Sequence, residues 1–282
     1  MFERSRCWLG AVALAWCAQV AAADAPRVVA LGGDITETVY ALEAQKGLVG
    51  VDSTSLWPAA ACELPNVGYV RQLAAEGVLA LRPSLILATH DAGPPPVMAQ
   101  LREAGVRIEL MTTTRTPEGV VAKVREIGRA LGCDAAADAI AHRIEAQYTE
   151  LAKAVAGMKS HPRVLFLMAA EGSPKAGGRE TAAASAIVLA GGTQIADGFT
   201  GYKPVSAEAL VALAPDVILL MRERADEVGG VNGVLQLPGV ALTPAGKARR
   251  IVFVDGQALL GFGPRNAEHE LELQRVFAGV QP

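Results

Sequence analysis

Asp134-Ala135-Ala136-Ala137-Asp138-Ala139-Ile140-Ala141-His142-Arg143-Ile144-Glu145-Ala146-Gln147-Tyr148-Thr149-Glu150-Leu151-Ala152-Lys153-Ala154-Val155-Ala156-Gly157-Met158 has no strand pattern on either side of it. Ile140, Ile144, Tyr148, Leu151, Val155 and Met158 recur at intervals of four or three, which is one stripe on one helix. Asp138, His142, Glu145, Glu150 and Lys153 take the other face. At about 1.5 Å per residue the helix spans roughly 35 Å, long enough to join two domains as a stiff strut.

Both sides of this strut alternate short apolar runs with helical periods. Before it, Arg27–Leu31, Leu48–Asp52, Ser84–Thr89 and Arg107–Met111 read as strands. Ile35–Gln45, Ala75–Leu81, a helix opened by Pro94-Pro95-Pro96 and Pro117–Leu131 read as helices. After it, Arg163–Ala170, Asp216–Met221 and Arg250–Asp255 are strand patterns, with helices over Thr181–Ala190 and Arg265–Ala278. Such alternation predicts an α/β protein with parallel sheets covered by helices on both faces. The expected plan is one lobe over residues 24–133, the linking helix over 134–158, and a second lobe over 159–282.

An internal repeat supports two lobes. Leu73-Ala74-Ala75-Glu76-Gly77-Val78-Leu79-Ala80-Leu81-Arg82-Pro83-Ser84-Leu85-Ile86-Leu87-Ala88 resembles Val205-Ser206-Ala207-Glu208-Ala209-Leu210-Val211-Ala212-Leu213-Ala214-Pro215-Asp216-Val217-Ile218-Leu219-Leu220. Each copy is a short helix, a proline and a buried strand. Glu76 and Glu208 open the two helices. They are either carboxylates that favour a helix N-terminus or a matched pair of acidic knobs for a two-fold partner.

The chain has 282 residues, 51% of them hydrophobic and 20% charged, and a net charge of -3. That balance does not suit an electrostatic nucleic-acid binder. Arg4 and Arg6, the apolar run Leu9–Val20 and Ala21-Ala22-Ala23 before Asp24 have the form of a cleaved secretory signal over residues 1–23. No other run is long enough to span a membrane, so a soluble exported chain is expected, and a monomer is the expected state. Cys62 and Cys133 remain after cleavage. They either pair in an oxidising compartment or stay as two thiols.

Ligands of open parallel sheets bind beyond the carboxyl ends of the strands. There the sequence places Gly32–Asp34, Thr89-His90-Asp91, Ala170-Glu171-Gly172, Arg222–Arg224 and Gly261-Phe262-Gly263-Pro264-Arg265. A further loop, Val67-Gly68-Tyr69-Val70-Arg71-Gln72-Leu73, sets a phenol and a guanidinium two residues apart, on one side of an extended backbone. A phenolate binds ferric iron and a guanidinium binds a carboxylate in bidentate fashion. His90 follows a strand and is a candidate second metal ligand. His142, His161 and His269 read as surface residues. Tyr202, in Gly201-Tyr202-Lys203-Pro204, is a candidate to line the cleft from the second lobe. Arg222 and Arg224 are equivalent candidates for a second guanidinium. No nucleophile elbow, metalloprotease helix or phosphate loop is present, so no catalytic set emerges. A metal-dependent enzyme would need a histidine and carboxylate cluster that the chain lacks.

The stretch Val67–Gly77, together with Gly201-Tyr202-Lys203-Pro204-Val205-Ser206, Thr243-Pro244-Ala245-Gly246-Lys247 and Leu260-Gly261-Phe262-Gly263-Pro264-Arg265, resembles periplasmic haem-binding proteins of bacterial haem-uptake ABC transporters. The likeness covers nearly all of the chain after the signal. It implies the class III periplasmic binding protein architecture, two Rossmann-like lobes on one long helix, in the periplasm. It implies ferric haem as the transported ligand, with Tyr69 on the iron and Arg71 on a propionate. It also implies docking of Glu76 and Glu208 on a permease dimer with its ATPase, downstream of an outer-membrane haem receptor. Some members add a second-lobe histidine, but Met168-Ala169-Ala170-Glu171 supplies none. Tyr69 is therefore expected to hold the iron alone unless His90 joins. Siderophore- and cobalamin-binding proteins share the lobe–helix–lobe plan, but their ligands need no phenolate.

Overall fold

The computed structural model describes residues 26–168 and 174–280. The expected signal over residues 1–23 and Ala169-Ala170-Glu171 lie outside the described residues. The chain begins with β1 (Val28–Leu31), α1 (Gly33–Ala41), β2 (Leu48–Val51), α2 (Ala75–Ala80), β3 (Leu85–Thr89), α3 (Pro95–Glu103), β4 (Arg107–Met111) and α4 (Pro117–Leu131). Its four strands form one sheet in the order β2-β1-β3-β4, every pair parallel. β1 is buried along its whole length, as a central strand covered on both faces requires.

Thr116 caps α4, its hydroxyl accepting the Gly119 N–H at 3.2 Å. Gly132 ends the helix at φ 70°, a left-handed position that suits glycine. The chain turns at once into α5 (Asp134–Ala156), the strut. Ile140, Ile144, Tyr148 and Leu151 are buried along it, as the stripe predicts, while Val155 and Met158 are partly buried.

Beyond α5 come β5 (Arg163–Met168), β6 (Lys175–Gly177), α6 (Ala182–Leu189), β7 (Thr193–Gln194), β8 (Tyr202–Pro204), α7 (Ala207–Leu213) and β9 (Val217–Met221). The chain closes with α8 (Gly230–Gln236), α9 (Pro244–Lys247), β10 (Ile251–Val254), α10 (Gly256–Gly261) and α11 (Asn266–Ala278). The second sheet runs β10-β9-β5-β6-β8, with β7 also on β5. Here the expectation of a parallel sheet needs correcting. β10, β9, β5 and β7 pair in parallel, but β6 pairs antiparallel with both β5 and β8. β6 and β8 are three residues each, too short to show an alternation, and Pro204 is tolerated because β8 lies at the sheet edge.

The repeat is structural as well as sequential. α2 leads into β3 and α7 into β9, each strand lying beside the central one, β1 or β5. Arg82 and Ala214, each just before the repeat's proline, both take a left-handed backbone, at φ 47° and 43°. Arg27 and Arg163 close the helix ends in the same way. Arg27 donates to the carbonyls of Leu81 and Arg82, and Arg163 to those of Leu213 and Ala214. An arginine on the last carbonyls of a helix satisfies acceptors that the helix leaves open.

Each lobe has an apolar cluster of its own, around Leu31 and Ile86 in the first and Leu165 and Ile218 in the second, and a third joins them. This third cluster runs from Val28 and Ile35 through Ile144 and Leu151 to Phe166 and Phe277. α11 folds back on α5, and the Tyr148 hydroxyl donates to Asn266 Oδ1 at 2.6 Å. Asn266 Nδ2 in turn donates to the carbonyls of Ala258 and Leu259, tying α10 to the strut. Next to Asn266, Glu270 is fully buried, and its Oε2 has no hydrogen-bond partner among the described residues.

Burial holds the Glu270 carboxyl well above the usual range, with only the Asn266 amide opposing. A folded-state pKa above the unfolded one gives stability that is fully present below the unfolded value, about 4.3, and that fades as pH rises through the folded value. Glu270→Gln keeps the shape and removes the titration. It should match the wild type in urea unfolding near pH 4 and exceed it at pH 7 to 8. Equal midpoints across that window would contradict the account.

Candidate functional site

The carboxyl ends of both sheets face a cleft of about 1010 Å³ between the lobes. This is the upper end of the size of small-molecule pockets. Its floor is polar and crosses the lobes. Lys123 of α4 pairs with Asp34 of α1, both almost fully buried, and its Nζ also donates to the carbonyls of Phe262 at 3.2 Å and Gly261 at 3.3 Å. Gln257 of α10 accepts the N–H groups of Leu56 and Trp57 at 2.7 and 2.9 Å and donates to Gly33 O at 2.9 Å. Arg265 joins buried Glu37 and also Asp255, and its guanidinium lies 4.2 Å from the centre of the Trp57 ring.

Tyr69 stands on the first-lobe wall. Its loop is pinned on both sides: Ser53 N–H donates to Gly68 O, Gly93 N–H to Val70 O and Leu73 N–H to Gly93 O. Val70 and Leu73 are buried, while Tyr69 and Arg71 are exposed to the cleft. The backbone is not extended, as the sequence suggested. Gln72 N–H closes a turn on Tyr69 O at 2.7 Å, and Gly68 enters it at φ 94°, where a side chain would be strained. The turn still brings the two side chains together. Arg71 Nη1 donates to Tyr69 Oη, and the guanidinium carbon is 5.5 Å from the ring centre. Arg71 Nε meanwhile donates to Asp91 Oδ2 at 2.7 Å.

His90 is exposed and lines the same cleft, beside Asp91. Tyr202 faces it from the second lobe, on the edge strand β8, with its ring edge-on to Phe166 at 6.3 Å. Burial raises the Tyr202 phenol's pKa, against the Ala183 N–H, the Thr181 hydroxyl and, more weakly, Arg115 and Arg71. The two arginines after β9 part company. Arg224 lines the cleft and holds Glu227 in a half-exposed ion pair. Arg222 is not among the lining residues, and its Nη2 reaches Phe253 O at 3.3 Å.

Glu76 and Glu208 are both exposed, on the first turns of α2 and α7. The Glu208 carboxylate is held below its ordinary range by its own backbone N–H and by the Ser206 hydroxyl. The remaining histidines are away from the cleft: His161 bonds Gly191 O and His269 pairs with Glu272. Cys62 and Cys133 are both free. Among the described residues no group of three or more metal-ligating side chains could hold a metal ion, and no helix is long and apolar enough to cross a membrane.

Sequence reasoning placed Asp34 at the rim but missed Lys123, Gln257 and Arg115. Arg115 follows β4 and donates across the cleft to Glu180 O at 3.4 Å. Its position after a strand's carboxyl end was a readable signal. Lys123 gave none, since a lysine on a helix reads as a solvated residue.

A preformed cleft between two α/β lobes on one helix defines a solute-binding protein. The family model described as "Periplasmic binding protein" matches residues 28–258, and the chain belongs to that family. The periplasmic heme-binding protein RhuT from Roseiflexus sp. RS-1, in apo form, is 38% identical, with 91% of this chain and 99% of that one covered at a TM-score of 0.86. The periplasmic heme-binding protein BhuT in complex with two hemes is 40% identical, with 90% and 98% covered at 0.85. A cobalamin-binding protein of Halobacterium salinarum is 29% identical over 89% of this chain and 69% of its own length.

The buried Lys123–Asp34 pair gives a direct check of the cleft floor. Lys123→Met should cost about 3–5 kcal/mol in urea unfolding, because it strands a buried carboxylate. Adding Asp34→Leu should recover part of that loss. A single variant within about 0.5 kcal/mol of wild type would show that the pair does not hold the lobes.

Proposed function

We propose that this protein binds ferric haem in the cleft between its lobes and delivers it to an inner-membrane ABC permease. The observation that carries this reading is Tyr69 at the cleft wall with Arg71 on its phenol oxygen. A phenolate suits ferric iron, and a charged N–H aimed at its oxygen makes a charge-assisted hydrogen bond. The likeness to RhuT and BhuT over nine-tenths of the chain supports haem as the ligand.

In this reading Tyr69 coordinates the iron. Arg71 keeps its hold on the phenolate oxygen and offers its outer N–H groups to a propionate. Arg224 is the second-lobe cation, since its ion pair with Glu227 is half exposed and exchanges at little cost. Tyr202, whose raised pKa keeps it protonated, lines the ligand as a hydrogen-bond donor. His90 is the available second ligand on the same wall. Glu76 and Glu208, one on each copy of the repeat, dock on the permease dimer with its ATPase. The chain works as a monomer in the periplasm after cleavage near Ala23, receiving haem that an outer-membrane receptor has imported.

Hemin titration of the purified protein should give a saturable high-spin ferric spectrum with a phenolate-to-iron band. Tyr69→Phe should lose the band. An unchanged spectrum in that variant, or tight cobalamin binding with none of hemin, would overturn the reading. Reversing charge at both Glu76 and Glu208 should abolish haem uptake by cells while leaving the titration intact. Normal uptake by that variant would reject the docking role.

A further inference from the structure

Arg71 is held from two directions. Asp91 Oδ2 takes Nε at 2.7 Å and also contacts Nη2, so one carboxylate oxygen grips one side of the guanidinium. Nη1, on the other side, donates to Tyr69 Oη. A guanidinium is planar and rigid. Once Nε and Nη2 rest on a carboxylate, the direction of Nη1 follows. Asp91 reaches this position because it lies two residues past β3, where the Ala92 N–H donates to Thr89 O and turns the chain back towards the Tyr69 loop. Burial works against its charge, while the Arg71 guanidinium helps hold the carboxyl below its usual range.

We propose that Asp91 is a positioning residue for iron coordination: by gripping Arg71 it aims a charged N–H at Tyr69 Oη and sets how firmly the phenolate keeps the iron. The proposal rests on the reading of Tyr69 as the haem ligand. Asp91 does not touch the iron. It acts through Arg71, and the Arg71–Asp91 pair is half exposed, with side-chain exposures of 51% and 47%. Pairs of that exposure add little to fold stability, so the consequence of losing it falls on the ligand.

Besides the Lys123–Asp34 pair of the floor, the other charged or titratable side chains lining the cleft are His90, Arg115, Glu180, Tyr202, Glu223 and Arg224. His90 adjoins Asp91 and lines the same cleft. A His90→Ala background removes it from the comparison.

The test loads hemin onto wild type, Asp91→Asn and Asp91→Ala, each checked for an unchanged melting temperature. The phenolate-to-iron band is followed as pH is lowered, and hemin loss to excess apomyoglobin is timed. Asp91→Ala should lose the band at higher pH than wild type, in the His90→Ala background as well. It should also release hemin on the order of 10-fold faster, the lower end of what loss of an outer-shell partner costs a metal site. Asp91→Asn keeps an oxygen for Nε and should fall closer to wild type. An Asp91→Ala midpoint and release rate equal to wild type would overturn the proposal while leaving Tyr69 as the ligand. A wild-type complex whose band survives Tyr69→Phe would reject the coordination reading and this inference with it.

Discussion

The pair between Lys123 and Asp34 is the contact on which the cleft depends. Two opposite charges lie out of water at the junction of the lobes, and the Lys123 ammonium is completed only by carbonyls of Gly261 and Phe262 from the far side. Desolvating such a pair is costly unless its geometry is good and its remaining hydrogen bonds are made. Both conditions hold only while the lobes keep this relative position. Gln257 and Arg265 repeat the logic with the Leu56–Trp57 backbone and Glu37. With one apolar core threading α5 and both sheets, the cleft is preformed. A rigid ligand meeting a preformed site avoids much of the ordering cost of binding.

The internal symmetry explains how one chain makes two opposed walls. Each lobe sets a helix, a left-handed residue, a proline and a buried strand in the same order, with an arginine closing the helix end. That arrangement points both strand ends at the cleft and leaves Glu76 and Glu208 on equivalent outer turns. The ligand chemistry is not symmetric. Tyr69 has a guanidinium on its oxygen, whereas burial dominates the Tyr202 phenol and raises its pKa. In the proposed reading the first lobe holds the iron and the second covers the ligand.

Much of this was legible in the chain. The spacing of Ile140, Ile144, Tyr148 and Leu151 determines α5 because a long amphipathic helix has few alternatives. The two helix–proline–strand copies were readable because local hydrophobic pattern decides them. Tyr69 and Arg71 were identified together, although a turn rather than an extended segment brings them into contact. β6 and β8 were not legible, being three residues each and dictated by pairing with β5. Lys123 was not legible either, because its partner lies 89 positions away and only the folded chain turns a surface residue type into the floor of a cleft. Asp91 was visible as a rim residue, but its grip on Arg71 depends on the turn after β3.

The central claim is a rigid cleft in which Tyr69 holds ferric iron, and a crystal structure of the hemin complex tests it most directly. The account predicts Tyr69 Oη on the iron, Arg71 still donating to that oxygen, and lobes in the same relative position with Lys123 on Asp34. Iron bound through another side chain, or lobes rotated apart with the Lys123 contacts broken, would contradict it.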